Sequence, residues 1–424
     1  MVSRSRRLVL TGLGVLSPLG LTPEALWQAL VAGTSGIRTI SLIDASLLPT
    51  HIAGEVPGFS AKAMIEKSYR KTLNAMARTV ELGVIGSQLA MQNAGLGKGT
   101  VPPHRIGIEF ASLMGATDLN DMAAAAKLTS PDGETVNYAT WGRDGLNEIT
   151  PMWMLKYLPN MPACHTTILY DIQGPSNTQI PGDAAGLVAL AEAGRIIRRG
   201  AADVMVVGSS EGRLNPITLA RYNLFLQLSR RNDDPAGAVR PFDVTRDGTV
   251  SGEGAAVFIL EDLDHATRRG ANILGEVVSW ASGVDRGLSG AGLARVIRQA
   301  LAMANITPAD VDHVNAHGTG TTAGDAFEAR GIAAVFGTQT PVYTPLPQFG
   351  NLGAASGLME LAASVFALQH GQLPGTINHT QPDPDCPIFV HTGSPRPVTR
   401  PYAVKVSYTA LGQCAAAVIR RWTP

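Results

Sequence analysis

Cysteine is scarce in this chain. Three residues, Cys164, Cys386 and Cys414, stand far apart among 424, which is too few and too scattered for a disulfide framework or a zinc site. A reducing, cytoplasmic setting is the expectation. Net charge is missing as well: 34 Lys and Arg balance 34 Asp and Glu, so nothing draws the whole molecule toward nucleic acid or an anionic membrane. An acidic partner would have to be met by a local basic cluster. No uninterrupted apolar run reaches the roughly 18 residues of a membrane span. The basic start leads into Leu8–Leu10, but Gly12 and Gly14 cut that run short, which argues against a signal peptide or membrane insertion and for a first strand ending in a glycine turn. No metal-ligand spacing and no phosphate-cradling glycine loop followed by lysine occurs, and GSSEGR (208–213) reads as a strand end. Neither metal nor cofactor is expected.

What is present alternates strand-like and helical apolar patterns, the signature of an α/β fold. Strands are expected at 8–11, 105–110, 204–207, 255–260, 312–315, 403–408 and 415–420. Helices are expected at 78–94, 184–199, 291–304, 325–335 and 356–370. In 184–199 the residues Leu187, Leu190, Ala191, Gly194 and Ile197 share one helical face, and Gly200 follows as a C-terminal stop. After the strand at 255 the alternation of helices and strands starts afresh, so two halves, 1–255 and 256–424, are the expected division, although no strong residue-level repeat supports it. The polar stretch 117–150 reads as an inserted cap or loop region rather than core.

Five stretches in order, RRLVLTGLGVLSPLG (6–20), LPNMPACHTTILYDIQGPSNT (158–178), AADVMVVGSSEG (201–212), RPFDVTRDGTVSGEGAAVFILED (240–262) and VNAHGTGTTAGDAFEA (314–329), resemble the β-ketoacyl-acyl-carrier-protein synthases, the thiolase-like condensing enzymes, over essentially the whole chain. The resemblance implies the thiolase fold: two pseudo-repeated βαβαβαββ halves in a five-layer αβαβα arrangement, in a dimer. It also implies a site. Such enzymes hold the acyl chain on a thiolate at a helix N-terminus and stabilise an enolate with two neutral imidazoles.

Counted from GPS (174–176), the family's cysteine position holds Asp183; Cys164 lies nineteen residues earlier, where the family has no nucleophile. Asp183 has a structural reading, as the N-cap of helix 184–199, and a functional one, forming an acyl anhydride or acting as a base on water. The first family histidine is His317, which could equally be an imidazole left to hydrogen-bond within the pocket, with Asp183 for instance. Asn351 stands at the second histidine and Leu346 at a family lysine, and the chain has no lysine between Lys156 and Lys405. Where the family gates its pocket with phenylalanine, TALGQC (409–414) supplies Ala410. Leu113 and Met114 fall where the family lines its acyl pocket, which they would shape or block, or else they are ordinary core filling. Asp325 and Glu328 fall at supporting positions behind it. Lys67, Arg70, Lys71 and Arg231 match a basic docking patch for an acidic acyl carrier protein, or else form an ordinary solvated face.

Three functions follow as expectations. The first is a non-condensing subunit, like the chain-length factors of polyketide synthases, that pairs as a heterodimer with a homologous Cys-containing synthase subunit and shapes its acyl tunnel; the relatives of that kind usually carry Gln at the nucleophile position, from which Asp183 departs. The second is a malonyl-thioester decarboxylase or acyl-thioester hydrolase using Asp183 and His317. The third is a homodimeric acyl-binding scaffold.

Overall fold

The computed structural model describes residues 6–113, 115 and 118–423. Its organising feature is a duplication that the residues do not reveal. The first half runs β1 (Leu8–Leu16), α1 (Arg78–Asn93), β2 (Ile106–Ala111), α2 (Met161–Tyr170), β3 (Ser176–Gln179), α3 (Ala185–Arg198), β4 (Val204–Glu211) and β5 (Gly254–Asp262). The second runs β6 (Gly275–Val284), α4 (Ala291–Ala304), β7 (Val311–Asn315), α5 (Thr322–Phe336), β8 (Pro341–Tyr343), α6 (Ser356–His370), β9 (Tyr402–Tyr408) and β10 (Gln413–Arg420). Each half is βαβαβαββ. In the sheet the order is β8-β7-β9-β10-β6 and then β1-β5-β4-β2-β3, with a short strand Phe389–Val390 beyond β8. Both halves therefore share one strand order and one pattern, three parallel strands followed by two antiparallel partners. They meet where β1 pairs with β6 over Leu8–Leu10.

The layers follow from burial. Helices α3 and α6 pack on one another between the halves, while α1 with α2 and α4 with α5 cover the outer faces. Strands covered on both faces need continuous apolar runs, and β1, β4 and β5 are buried at every position. Helix α6 is buried along thirteen of its fifteen residues, as a central-layer helix must be. This is the thiolase-like architecture.

Two expectations change and a third becomes specific. Gly12 and Gly14 do not end β1, which runs on to Leu16; they let α1 approach, since a Cβ on Gly14 would sit 2.1 Å from the Gly86 carbonyl oxygen. Within the segment expected as a cap or loop, residues 118–150 form two helices, Leu119–Thr129 and Tyr138–Arg143, with Asp118 and Asn137 as their N-caps. The division at 255/256 falls inside β5, the last strand of the first half; the seam of the duplication lies between Asp262 and Gly275.

Candidate functional site

The two central helices begin side by side, and the loop after β7 reaches over to them. Asp183 lies in the short turn Gly182–Ala184 that leads into α3; Asn351 lies in the turn before α6; His317 follows β7. The structure brings all three together. His317 Nε2 is 3.2 Å from Asp183 Oδ2, and Asn351 Nδ2 donates to the same oxygen at 3.0 Å. The reading of Asp183 as a helix cap does not survive: Ala184 is the N-cap of α3 and no side chain caps it. The carboxylate turns away from the helix because an imidazole and an amide offer stronger, converging partners.

Behind His317 the chain of charge continues. Its Nδ1 is 2.9 Å from Glu360 Oε1, and Glu360 Oε2 is 2.5 Å from Lys405 Nζ. His317, Glu360 and Lys405 are all fully buried. On the other side Arg213, also buried, donates to Asn351 Oδ1 at 3.3 Å, pairs with Glu211 at 2.9 Å and lies over the Tyr222 ring. Burial alone would raise the Asp183 carboxyl, but the His317 hydrogen bond and charge, the Arg213 charge and the Asn351 amide hold it down to about 2. Burial alone would lower His317; the Glu360 charge and the Asp183 hydrogen bond outweigh it and lift the ring to about 10. Near neutral pH the pair is a carboxylate and an imidazolium, unlike the neutral imidazole that accepts or passes a proton.

Glu328 and Asp325 grip the histidine loop by its backbone. Glu328 accepts from the His317 and Gly318 amides at 2.6 and 2.8 Å. Asp325 accepts from Gly320 at 3.0 Å and from Phe242, whose φ of 60° puts a buried phenylalanine in the left-handed region, at 2.7 Å. Burial raises both carboxyls, Asp325 to about 7.

Asp183 and Asn351 form the floor of a cavity of about 890 Å³. Leu113 and Ala410 line it; Leu346 does not. Leu346 is wholly enclosed in the central apolar core with Tyr343 and Phe349. Met114 lies outside the described residues. Ala410 belongs to a tight turn between β9 and β10, in which Gly412 takes φ 86° and closes a hydrogen bond to Thr409. The apolar side chains at the mouth are Phe225, Leu288 and Leu411, the last 86% exposed.

Sequence reasoning missed Lys405, Glu360, Arg213 and Leu411. The first two carried a signal, a single charge inside otherwise apolar runs (AVKVSY, GLMELAASVF), where only a paired charge is tolerated. The basic positions are not one cluster of free charge. Lys67, Arg70 and Lys71 lie on a 3₁₀ helix, Lys67–Ala75, with both lysines exposed. Arg231 is engaged by Asp247 at 3.6 Å and by the Thr245 carbonyl at 2.8 Å. No thiol is in the site. Cys386 and Cys414 are pushed up to about 12 by burial, and Cys164 sits on α2 beside Asn160. Among the described residues no group of side chains is arranged to hold a metal, and no helix is long and apolar enough to cross a membrane.

Comparison with known proteins gives a consistent result. Residues 5–266 match the β-ketoacyl synthase N-terminal domain and residues 279–380 the β-ketoacyl synthase C-terminal domain. The 3-oxoacyl-[acyl-carrier-protein] synthase 2 of Coxiella burnetii is 34% identical over 393 residues, 90% of this chain and 91% of that one. The tetracenomycin polyketide synthase ketoacyl synthase alpha subunit of Streptomyces glaucescens is 34% identical over 395 residues, 90% of this chain and 89% of that one. Among solved structures, the ishigamide ketosynthase/chain length factor superposes with a TM-score of 0.88 at 27% identity, covering 99% of this chain and all of that one.

Proposed function

This chain belongs to the β-ketoacyl synthase family, and from that premise we propose that it is a non-condensing subunit of polyketide or fatty acid biosynthesis, paired with a cysteine-bearing homologue whose acyl tunnel it helps to shape. One observation supports the reading: Asp183, at the position that the family resemblance assigns to the acyl-bearing cysteine, is a carboxylate tied to His317 and Asn351. A carboxylate held at about 2 is a weak nucleophile, and an imidazolium held up to about 10 cannot take a proton from a thiol or from water near neutral pH. The same two facts weigh against the hydrolase reading, which needs Asp183 or His317 to exchange a proton, and Asn351 in place of a second imidazole weighs against the decarboxylase reading, which would lose one of two enolate donors.

The pairing is supported by an open sheet edge. Among the described residues β3 bonds only to β2 and ends the sheet; Ile168 and Ile180 near it are 65% and 61% exposed. An unpaired edge with flanking apolar side chains is a surface awaiting a partner strand. The exposed Lys67 and Lys71 are the part of the basic patch free to meet an acyl carrier protein. The cavity above Asp183 gives an acyl chain space without a covalent bond.

The test is reconstitution with a family ketosynthase that carries the intact cysteine nucleophile. The expected result is a one-to-one complex whose product length changes when Leu113 is replaced, and no CO₂ release from malonyl-carrier protein by this chain alone. Ketoester formation by the isolated chain would refute the proposal. A stable homodimer with bound lipid and no affinity for the ketosynthase would favour the scaffold instead.

A further inference from the structure

Lysine is missing from the loop at Leu346, yet an ammonium is present in the core behind His317, delivered by a different element. Lys405 is the one charged residue in β9, its side chain is fully buried, and its Nζ reaches Glu360 Oε2 at 2.5 Å and the Asn315 carbonyl at 3.4 Å. We infer that Lys405 is the counter-charge that allows Asp183 and His317 to stand as an ion pair, and is thus a positioning residue for the whole site.

The argument is a charge count. His317 touches two carboxylates, Glu360 through Nδ1 and Asp183 through Nε2, and it can carry only one positive charge. In an interior, an ionised carboxylate without a cation is costly enough to take up a proton instead. Lys405 satisfies Glu360, so the charge of His317 is left for Asp183. The other groups facing the cluster are already committed. From the end of β4, Glu211 is paired with Arg213. From α5, Glu328 is held by two backbone amides, and Asp325 lies 3.8 Å from Arg246. From β9 the Tyr408 ring stands edge-on to His317 at 5.4 Å. From β7, His313 is turned toward Asp312 and Ser364. None of these has charge to spare for Glu360.

The test uses isosteric neutral variants of the full chain and no substrate, so it stands whether or not the non-condensing role is right. Lys405→Met should bind about one more proton than wild type in the near-neutral range, read as an added slope in melting temperature against pH and as proton uptake in difference titration. Lys405→Met/Glu360→Gln removes one charge of each sign and should return the titration to that of wild type. A Lys405→Met profile parallel to wild type, or a double variant that keeps the extra proton, would overturn the inference. If Lys405→Met does not fold, nitrogen-15 spectra of labelled wild-type protein decide: His317 should keep both ring nitrogens protonated from about pH 6 to 9, and a neutral ring at pH 7 would overturn it.

Discussion

Restoring sulfur at the head of α3 is the sharpest perturbation the geometry offers. In Asp183→Cys the thiol would lie beside the His317 imidazolium, some 3 Å from Nε2, and at the positive end of a fourteen-residue helix. Two unit charges about 4 Å apart at an effective dielectric near 20 attract by roughly 4 kcal/mol, or about three pKa units; burial takes part of that back. The site provides its own calibration, because the same surroundings bring the Asp183 carboxyl from 3.8 to about 2 after burial is included. A shift of about two units would bring a thiol from its usual value near 8.5 to roughly 6.5. The assay is the pH profile of iodoacetamide alkylation in a Cys164→Ser background, the two remaining thiols being buried. The rate at one pH is a poor readout, because a less basic thiolate is also less nucleophilic; the midpoint is the quantity to read. A midpoint at or above about 8.5 would refute the electrostatic account of the site.

Three further outcomes follow from the same contacts. Adding Asn351→His to Asp183→Cys supplies the second imidazole, and decarboxylation of malonyl-carrier protein should rise by at least about 100-fold over Asp183→Cys alone, measured as CO₂ release; no gain would mean that the lost histidine is not what limits the site. In wild type, the depressed Asp183 carboxyl contributes stability that is present above its ordinary 3.8 and lost as pH falls toward 2, while the raised His317 contributes stability that is complete below 6.5 and lost as pH rises toward 10. Melting temperature should therefore be flat for this pair between about pH 4 and 6.5, and Asp183→Asn should remove the acid limb and shrink the alkaline one, which calorimetry against pH will show. Gly208→Ala would place a Cβ 2.0 Å from the Phe110 ring inside β4, so denaturant unfolding should register a loss of at least about 1–3 kcal/mol.

Much of the architecture was legible in the chain. Buried strands such as Val204–Val207 and helices such as α3 and α4 announce themselves by apolar periodicity, because burial acts on each segment locally. The duplication was not legible, since it lives in strand order and direction rather than in residues. The two helices within 119–143 were not legible beyond a cap or a loop, because they are short, polar and mostly exposed, so they lack the apolar stripe that periodicity detects.

The site divides along the same line. Sequence alone determined which residues stand at the positions that the family resemblance assigns to the thiol, the second histidine, the loop lysine and the aromatic gate, namely Asp183, Asn351, Leu346 and Ala410, since identity at a position needs no coordinates. Only the tertiary structure decided what those substitutions amount to. It joined Asp183, His317, Glu360 and Lys405, drawn from four elements across 223 residues, into one line of alternating charge. It also sent Leu346 into the core and set the ammonium of Lys405, from a strand near the C-terminus, beside Glu360. The physical reason is that Coulomb attraction in a dry interior depends on distance in space and on the absence of water, and neither quantity is written in the order of the residues.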